Sequence, residues 1–241
     1  MMRILTILTL ALTVLAARGA EVCDSVLTVS GPIAESQFSD RDDFHTVRIS
    51  GATEIPAYAF NYCSNLRRVE LAAGVVKVGR GAFAWCTWLE TVNLPASLRD
   101  LANDAFAYCM SLRDVRIPDG VTHIGSNCFS YCKSLTGIVL PSAVRELESY
   151  SFNECSALVS ISLPPNDRLL GEMILAGCIG LRSVTEASPV PPKFDCDSQL
   201  FDPDESERFD NVVLYVPARS VEAYRNARGW RLFKNIKPIR I

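Results

Sequence analysis

Nine cysteines, two histidines and a run of acidic residues are the side chains in this 241-residue sequence with metal, redox or acid–base chemistry to offer. Six of the cysteines, Cys63, Cys86, Cys109, Cys132, Cys155 and Cys178, fall at a constant spacing of 23. Stacked copies would hold such thiols about one strand spacing, ~4.8 Å, apart. A disulfide tolerates that separation. Cysteine is also a small hydrophobe that packs well in cores, and the ladder lacks the C-x-x-C pair or nearby histidine of a metal site. Buried free thiols are therefore expected, with no metal and no cofactor. Cys128 adds a second thiol four residues before Cys132, while Cys23 and Cys196 lie outside the ladder. The odd total leaves at least one thiol free or paired outside the chain. His45 and His123 sit in unrelated contexts and read as surface histidines. Asp195, Asp197, Asp202, Asp204, Glu205, Glu207 and Asp210 offer clustered oxygens to calcium. Their spacing matches no calcium loop, so a solvated insertion is expected. No G-x-S-x-G, H-E-x-x-H or phosphate loop is present, and no catalytic constellation points to an enzyme.

Two other sets of residues suit recognition. Tyr62, Trp85, Tyr108 and Tyr131 each precede a ladder cysteine and share its period. If the cysteine points inward, the aromatic faces at least partly outward. A row of such rings offers large area with polar tips to a protein or a glycan, or else stiffens the stack. The row stops at Glu154 and Gly177. The second set is the outward face of the repeated strands: Arg68 and Glu70, Thr91 and Asn93, Asp114 and Arg116, followed by small or hydroxylated residues from Gly137 onward. Solenoids commonly bind along such a face, so contacts should concentrate on its first three rungs.

The elements that position these residues follow from the same period. Phe60, Phe83, Phe106, Phe129 and Phe152 lie three residues before successive cysteines, and a leucine lies three after each. Spacing of three suits a tight helical or 3₁₀ turn. Leu112, Val115 and Ile117 then tighten to the alternation of a short strand. Pro95, Pro118, Pro141 and Pro164 close their strands, because proline has no N–H for a ladder. One copy buries too little apolar area to fold alone, so the copies must stack with their strands in parallel. The expected fold is an α/β repeat: a right-handed leucine-rich repeat solenoid with parallel strands on the concave face and helical or 3₁₀ turns opposite.

Residues 1–20 read as a secretory signal peptide: Arg3, an apolar run from Ile4 to Ala17, then Ala17-Arg18-Gly19-Ala20 for cleavage. Val22 before Cys23 is not the small residue that lipidation requires. Loss of Arg3 and Arg18 takes the net charge from −3 to −5. That balance excludes a nucleic-acid footprint, and nothing after the leader could span a bilayer. Residues 21–43 are expected to form an irregular N-terminal cap, with Val26 to Val29 compatible with a strand. Residues 44–188 carry the array, one shortened rung plus six copies. Residues 189–241 form a C-terminal cap, in which Val212 to Val216 is the last strand, Ser220 caps a short helix ended by Gly229, and Trp230, Phe233 and Ile236 cover the final rung.

The repeated A-F-x-x-C-x-x-L-x-x-V-x-L-P, as in Ala82-Phe83-Ala84-Trp85-Cys86 through Leu94-Pro95, resembles the BspA-like leucine-rich repeat family. The tail from Leu214-Tyr215-Val216-Pro217 to Gly229-Trp230 is similar to the C-terminal cap of its bacterial members. The resemblance implies an exported protein of host-associated bacteria, periplasmic, displayed on the cell surface or secreted. It also implies adhesion-like binding of a protein partner, such as a host extracellular protein. Cys128, Ser151 and Ile174 depart from the alanine of Ala59, and the array is short for multivalent adhesion. The residues themselves leave glycan binding and a structural envelope role as alternatives. A monomer is expected.

Overall fold

Each 23-residue copy closes one turn of a coil, and every turn is built from three short walls around an apolar centre. The computed structural model describes residues 20–165, 169–194, 200 and 210–239. The leader, Cys196 and the acidic residues from Asp195 to Glu207 lie outside the described residues.

The first wall is the expected parallel sheet. Val26–Ser30, Thr46–Ser50, Arg68–Leu71 and Thr91–Asn93 pair in sequence, with Val47, Val69 and Val92 in register. Gly137–Val139, Ser160–Leu163, Ser183–Glu186, Val213–Val216 and Asn235–Pro238 continue it. Between these two groups the ladder breaks. Residues 114–117 form no strand, and a lone bridge between Thr91 and Asp114 marks their place.

The second wall has no counterpart in the sequence reading. Two-residue strands, Glu54–Ile55, Lys77–Val78, Asp100–Leu101, His123–Ile124, Glu146–Leu147, Leu169–Leu170 and Lys193–Phe194, form a seven-stranded parallel sheet. Each of the first five sends one apolar residue inward: Ile55, Val78, Leu101, Ile124 and Leu147 are all buried. Its partner points out.

The third wall is the turn that carries the phenylalanines and cysteines. Its i→i+3 hydrogen bonds are those of a tight turn, such as Asn61 N–H to the Tyr58 carbonyl at 3.1 Å and Cys63 N–H to the Phe60 carbonyl at 3.3 Å. Left-handed residues recur in it four apart, however. Tyr58 and Tyr62 have φ of 55° and 58°, Asp104 and Tyr108 59° and 60°, Asn127 and Tyr131 55° and 59°. Every second N–H of the turn then points along the coil axis. Tyr58, Phe60 and Tyr62 donate to the carbonyls of Arg80, Ala82 and Ala84 on the next rung at 2.8, 2.8 and 2.9 Å. The turns are thereby laddered as the strands are, which satisfies backbone groups that burial would otherwise strand.

Inside, the phenylalanines stack at 5.1 to 5.5 Å with nearly parallel rings. The stack starts one rung earlier than the array, at Phe38, which lies 5.1 Å from Phe60. The segment expected as an irregular cap thus carries a turn of the coil's own form, with Ser36 and Asp40 at φ 53° and 59°. Below it Ala20–Cys23 pairs antiparallel with Val26–Ser30. Asp24 and Ser25 between them both have positive φ, the requirement of a two-residue hairpin turn that matches strand twist.

At the other end the short helix is Val221–Asn226. Ser220 does not cap it. Its hydroxyl donates to the Pro189 carbonyl at 2.7 Å. Tyr224 Oη donates to the Ser188 carbonyl at 3.0 Å and Trp230 Nε1 to the Pro192 carbonyl at 2.9 Å. Three side chains of the cap therefore hold the proline-rich segment. The last strand is Asn235–Pro238 rather than the one ending at Val216, and Ile236 in it is buried.

Candidate functional site

Three surfaces carry the residues with recognition or chemistry to offer, one on each wall. On the strand face, alternation sends Arg68, Thr91, Asn93, Asp114 and Arg116 to solvent, while Glu70 is half-buried. Arg48 Nε donates to Glu70 Oε2 at 2.9 Å, so the first rungs pair part of their charge with each other. The break in the sheet leaves two shallow depressions. One of about 450 Å³ runs along Asp114, Arg116, Gly137, Val139, Ser160 and Ser162. Another of about 390 Å³ is lined by Asn93, Ala96, Arg116, Asp119 and others. Arg116 stands between the two. Val139 beside it is 71% exposed, the most open large apolar side chain among the described residues. Gly137 adds no side chain to the column between Asp114 and Ser160, which keeps the first depression open.

On the turn wall the aromatic row is a continuous stack. Tyr62 and Trp85 lie 5.5 Å apart, Trp85 and Tyr108 3.8 Å, Tyr108 and Tyr131 4.4 Å, all within 15° of parallel. Trp85, Tyr108 and Tyr131 are half-buried against one another, and Tyr62 at the end of the row is 51% exposed. All four occupy left-handed backbone, φ between 58° and 62°. An L-residue with a Cβ meets its following carbonyl there, at about 1–2 kcal/mol. Burial, with the charges of Glu154 and Tyr108 behind it, raises the Tyr131 pKa.

One residue inward from that row, the ladder cysteines are buried and stand as thiols. Each thiol donates to the carbonyl of the phenylalanine one rung back: Cys63 to Phe38 at 3.1 Å, Cys86 to Phe60 at 3.1 Å, Cys109 to Phe83 at 3.2 Å, Cys132 to Phe106 at 3.4 Å, Cys155 to Phe129 and Cys178 to Phe152 at 3.2 Å. Burial pushes the Cys63 thiol up to about 12 and raises Cys86, Cys109, Cys132 and Cys155 as well. A thiol held neutral in this way is a poor nucleophile and a poor ligand. The ladder is structural.

The third surface lies on the short sheet, where outward residues from successive rungs converge. His123 Nδ1 lies 2.6 Å from Asp100 Oδ1, and its Nε2 lies 2.9 Å from Glu148 Oε1 and 3.9 Å from Glu146 Oε2. Glu148 Oε2 accepts from Ser126 Oγ at 2.7 Å and Ser126 N–H at 3.1 Å. Lys77 pairs with Asp100 at 3.2 Å. Partial burial opposes an imidazolium at His123, but the hydrogen bonds and charges of Asp100 and Glu148 outweigh it and raise the pKa. Glu148 moves the other way: burial opposes its charge, and the bonds from Ser126 and His123 prevail and lower its pKa. His123 is therefore no plain surface histidine. It is the centre of a polar cluster, and the reading of two unrelated histidines missed it.

The repeat profile described as BspA type leucine rich repeat region matches six copies over residues 53–182, just over half of the chain. The chain belongs to the BspA type leucine-rich repeat family. No curated protein is similar in sequence. A leucine-rich repeat protein of T. pallidum is similar in structure, with 28% identity, a TM-score of 0.58, and coverage of 68% of this chain and 77% of that one. A leucine-rich repeat protein of Bacteroides ovatus shares the fold at 20% identity and the same TM-score over 90% of this chain. This chain spans about half the length of that protein, 51%. Within the BspA type repeat, the cysteine and phenylalanine positions serve the core. The position before each cysteine, the outward strand positions and the outward position of the short sheet are the variable ones along this array. The last of these was visible in the sequence: Lys77, Asp100, His123 and Glu146 share the period of 23. They went unread because they differ in type.

Proposed function

We propose that this protein is an exported, non-enzymatic recognition module that holds an extracellular or envelope protein on its strand face around Arg116. The observation that supports this reading is the position of Arg116 between two depressions at the break in the sheet, next to the exposed Val139. An arginine with an apolar neighbour in a recess is the usual make-up of an interface anchor. The BspA type repeat and its relatives support a role in protein interaction. No helix among the described residues is long and apolar enough to cross a membrane.

Glycan binding along the aromatic row is the weaker reading. Sugars lie flat on ring faces, and the rings of Trp85 and Tyr108 use theirs on each other at 3.8 Å. At the ends of the row, Lys133 Nζ lies over the Tyr131 ring at 5.5 Å, and Tyr62, 51% exposed, is the more open ring for stacking.

The test is a panel of extracellular-matrix proteins and glycans against the purified protein, alongside Arg116→Ala and Tyr62→Ala. Arg116→Ala, on an exposed side chain, should leave the melt within about 0.5 kcal/mol, and Tyr62→Ala, which gives up one ring contact with Trp85, should cost no more than about 1.5 kcal/mol. A protein hit that Arg116→Ala weakens at least tenfold, and that added salt also weakens, is the expected result. A glycan hit lost in Tyr62→Ala would move the site to the aromatic row. No binding, together with stable self-association, would make the protein an envelope component.

A further inference from the structure

We propose that His123, Glu146 and Glu148 form a binding site for a zinc-class divalent cation on the short sheet, on a different wall from the strand face. The three ligand atoms lie within 4.8 Å of one another. Tetrahedral zinc with nitrogen and oxygen ligands at about 2.1 Å needs ligand atoms about 3.4 Å apart. The distances from His123 Nε2 to the two glutamates, 2.9 and 3.9 Å, bracket that value. The adjustment falls on Glu146 and Glu148, whose side chains are 71% and 39% exposed and have room to move.

The surroundings are arranged as a metal's supporting groups are. Asp100 accepts from His123 Nδ1 at 2.6 Å, which fixes the ring and leaves Nε2 for the ion. Ser126 clamps the far oxygen of Glu148 twice, which leaves Oε1 facing the imidazole. Three carboxylates converge here, and among the described residues Lys77 on Asp100 is the lysine or arginine paired with them. Arg99, adjacent in sequence, turns its guanidinium to the carbonyls of Ala96 and Leu98 instead. The local surplus of negative charge favours a cation.

An imidazole with two carboxylates suits zinc and its neighbours in the transition series. It does not suit calcium, which needs six to eight oxygens, nor magnesium, which needs an octahedron. Three protein ligands leave a fourth position to water. Because His123 and the two glutamates come from adjacent rungs, the ion would also tie those rungs together.

The experiment is titration of the purified protein with Zn²⁺ by calorimetry, and with Co²⁺ by visible absorption. Both use a Cys23→Ser, Cys196→Ser background, so that thiols outside the ladder do not compete. One ion per chain is expected, with no thiolate-to-cobalt band and no competition from Ca²⁺ or Mg²⁺. His123→Ala and Glu146→Gln should each weaken binding at least tenfold, and Asp100→Asn by about 10–100-fold through ligand orientation. Glu146→Gln is the decisive variant, because its exposed side chain can change without cost to the fold. Absence of Zn²⁺ binding, a thiolate band, or binding that survives both Glu146→Gln and Glu148→Gln would overturn the site.

Discussion

Two stacks of aromatic rings run along the array at the same period, two residues apart in sequence, the inner from Phe38 to Phe152 and the outer from Tyr62 to Tyr131, and they do different work. The phenylalanine spine is buried throughout, with centroids 5.1 to 5.5 Å apart. The outer row is covered only in part, with Tyr62 at its end 51% exposed, yet its closest pair is tighter, at 3.8 Å. The spine gains its energy from removal of each ring from water, about 25 cal/mol per Å². The row gains mostly from ring against ring, about 0.5–1.5 kcal/mol per pair, while its residues sit in unfavourable backbone. A repeat puts like residues in line wherever they fall. Only the environment decides whether the line becomes core or surface.

The comparison is tested most severely at its strong end. Phe106→Ala removes a ring with neighbours 5.4 and 5.5 Å away on either side and leaves a cavity that close-packed rungs cannot fill. It should cost about 3–5 kcal/mol in a urea melt. A cost below about 0.5 kcal/mol would mean that the spine is not the core, a result no relaxation of neighbours would account for.

Trp85→Ala should cost less, about 1–3 kcal/mol, since it loses two stacking contacts but empties no fully buried site. A second substitution at the same position sharpens the point. Trp85 has φ of 62°, where alanine is strained and glycine is not. Trp85→Gly should therefore be more stable than Trp85→Ala by up to about 1 kcal/mol, the reverse of their order in a helix or strand. Parallel chemical melts of the two variants measure it. If alanine proved the better replacement, the turn would not hold its left-handed form once the stack is gone.

These differences also mark what could be read from sequence. The spine, the cysteine ladder and the proline-closed strands repeat one residue type at one spacing, so the period alone exposed them. The short sheet did not show, because each rung gives it two residues and a single inward side chain such as Ile124, too little for alternation to register. The left-handed turns were hidden because tyrosine and tryptophan, not glycine or asparagine, occupy most of the outer positions. Phe38 escaped because its rung is one residue short and lacks the cysteine. The polar cluster escaped for a different reason. His123 means little alone and acquires its role only when Asp100 and Glu148, 23 and 25 residues away, arrive on neighbouring rungs.

The smallest effect concerns the ladder cysteines, which are buried as the spine is and share its fate. At pH 8 a thiol whose pKa is about 12, as at Cys63, is ionised in roughly one molecule in ten thousand. Burial excludes reagent from the others as well. In the native protein a thiol-specific reagent should thus modify the exposed Cys23 promptly and leave Cys63, Cys86, Cys109, Cys128, Cys132, Cys155 and Cys178 unmodified. Peptide mapping after labelling identifies each site separately. Ladder labelling should appear only as urea opens the coil, and it should follow the same transition as the loss of structure, because rungs that share one core open together. Labelling at one end of the ladder well below that transition would instead mean that the coil frays rung by rung, with the spine stabilising neighbours rather than the whole.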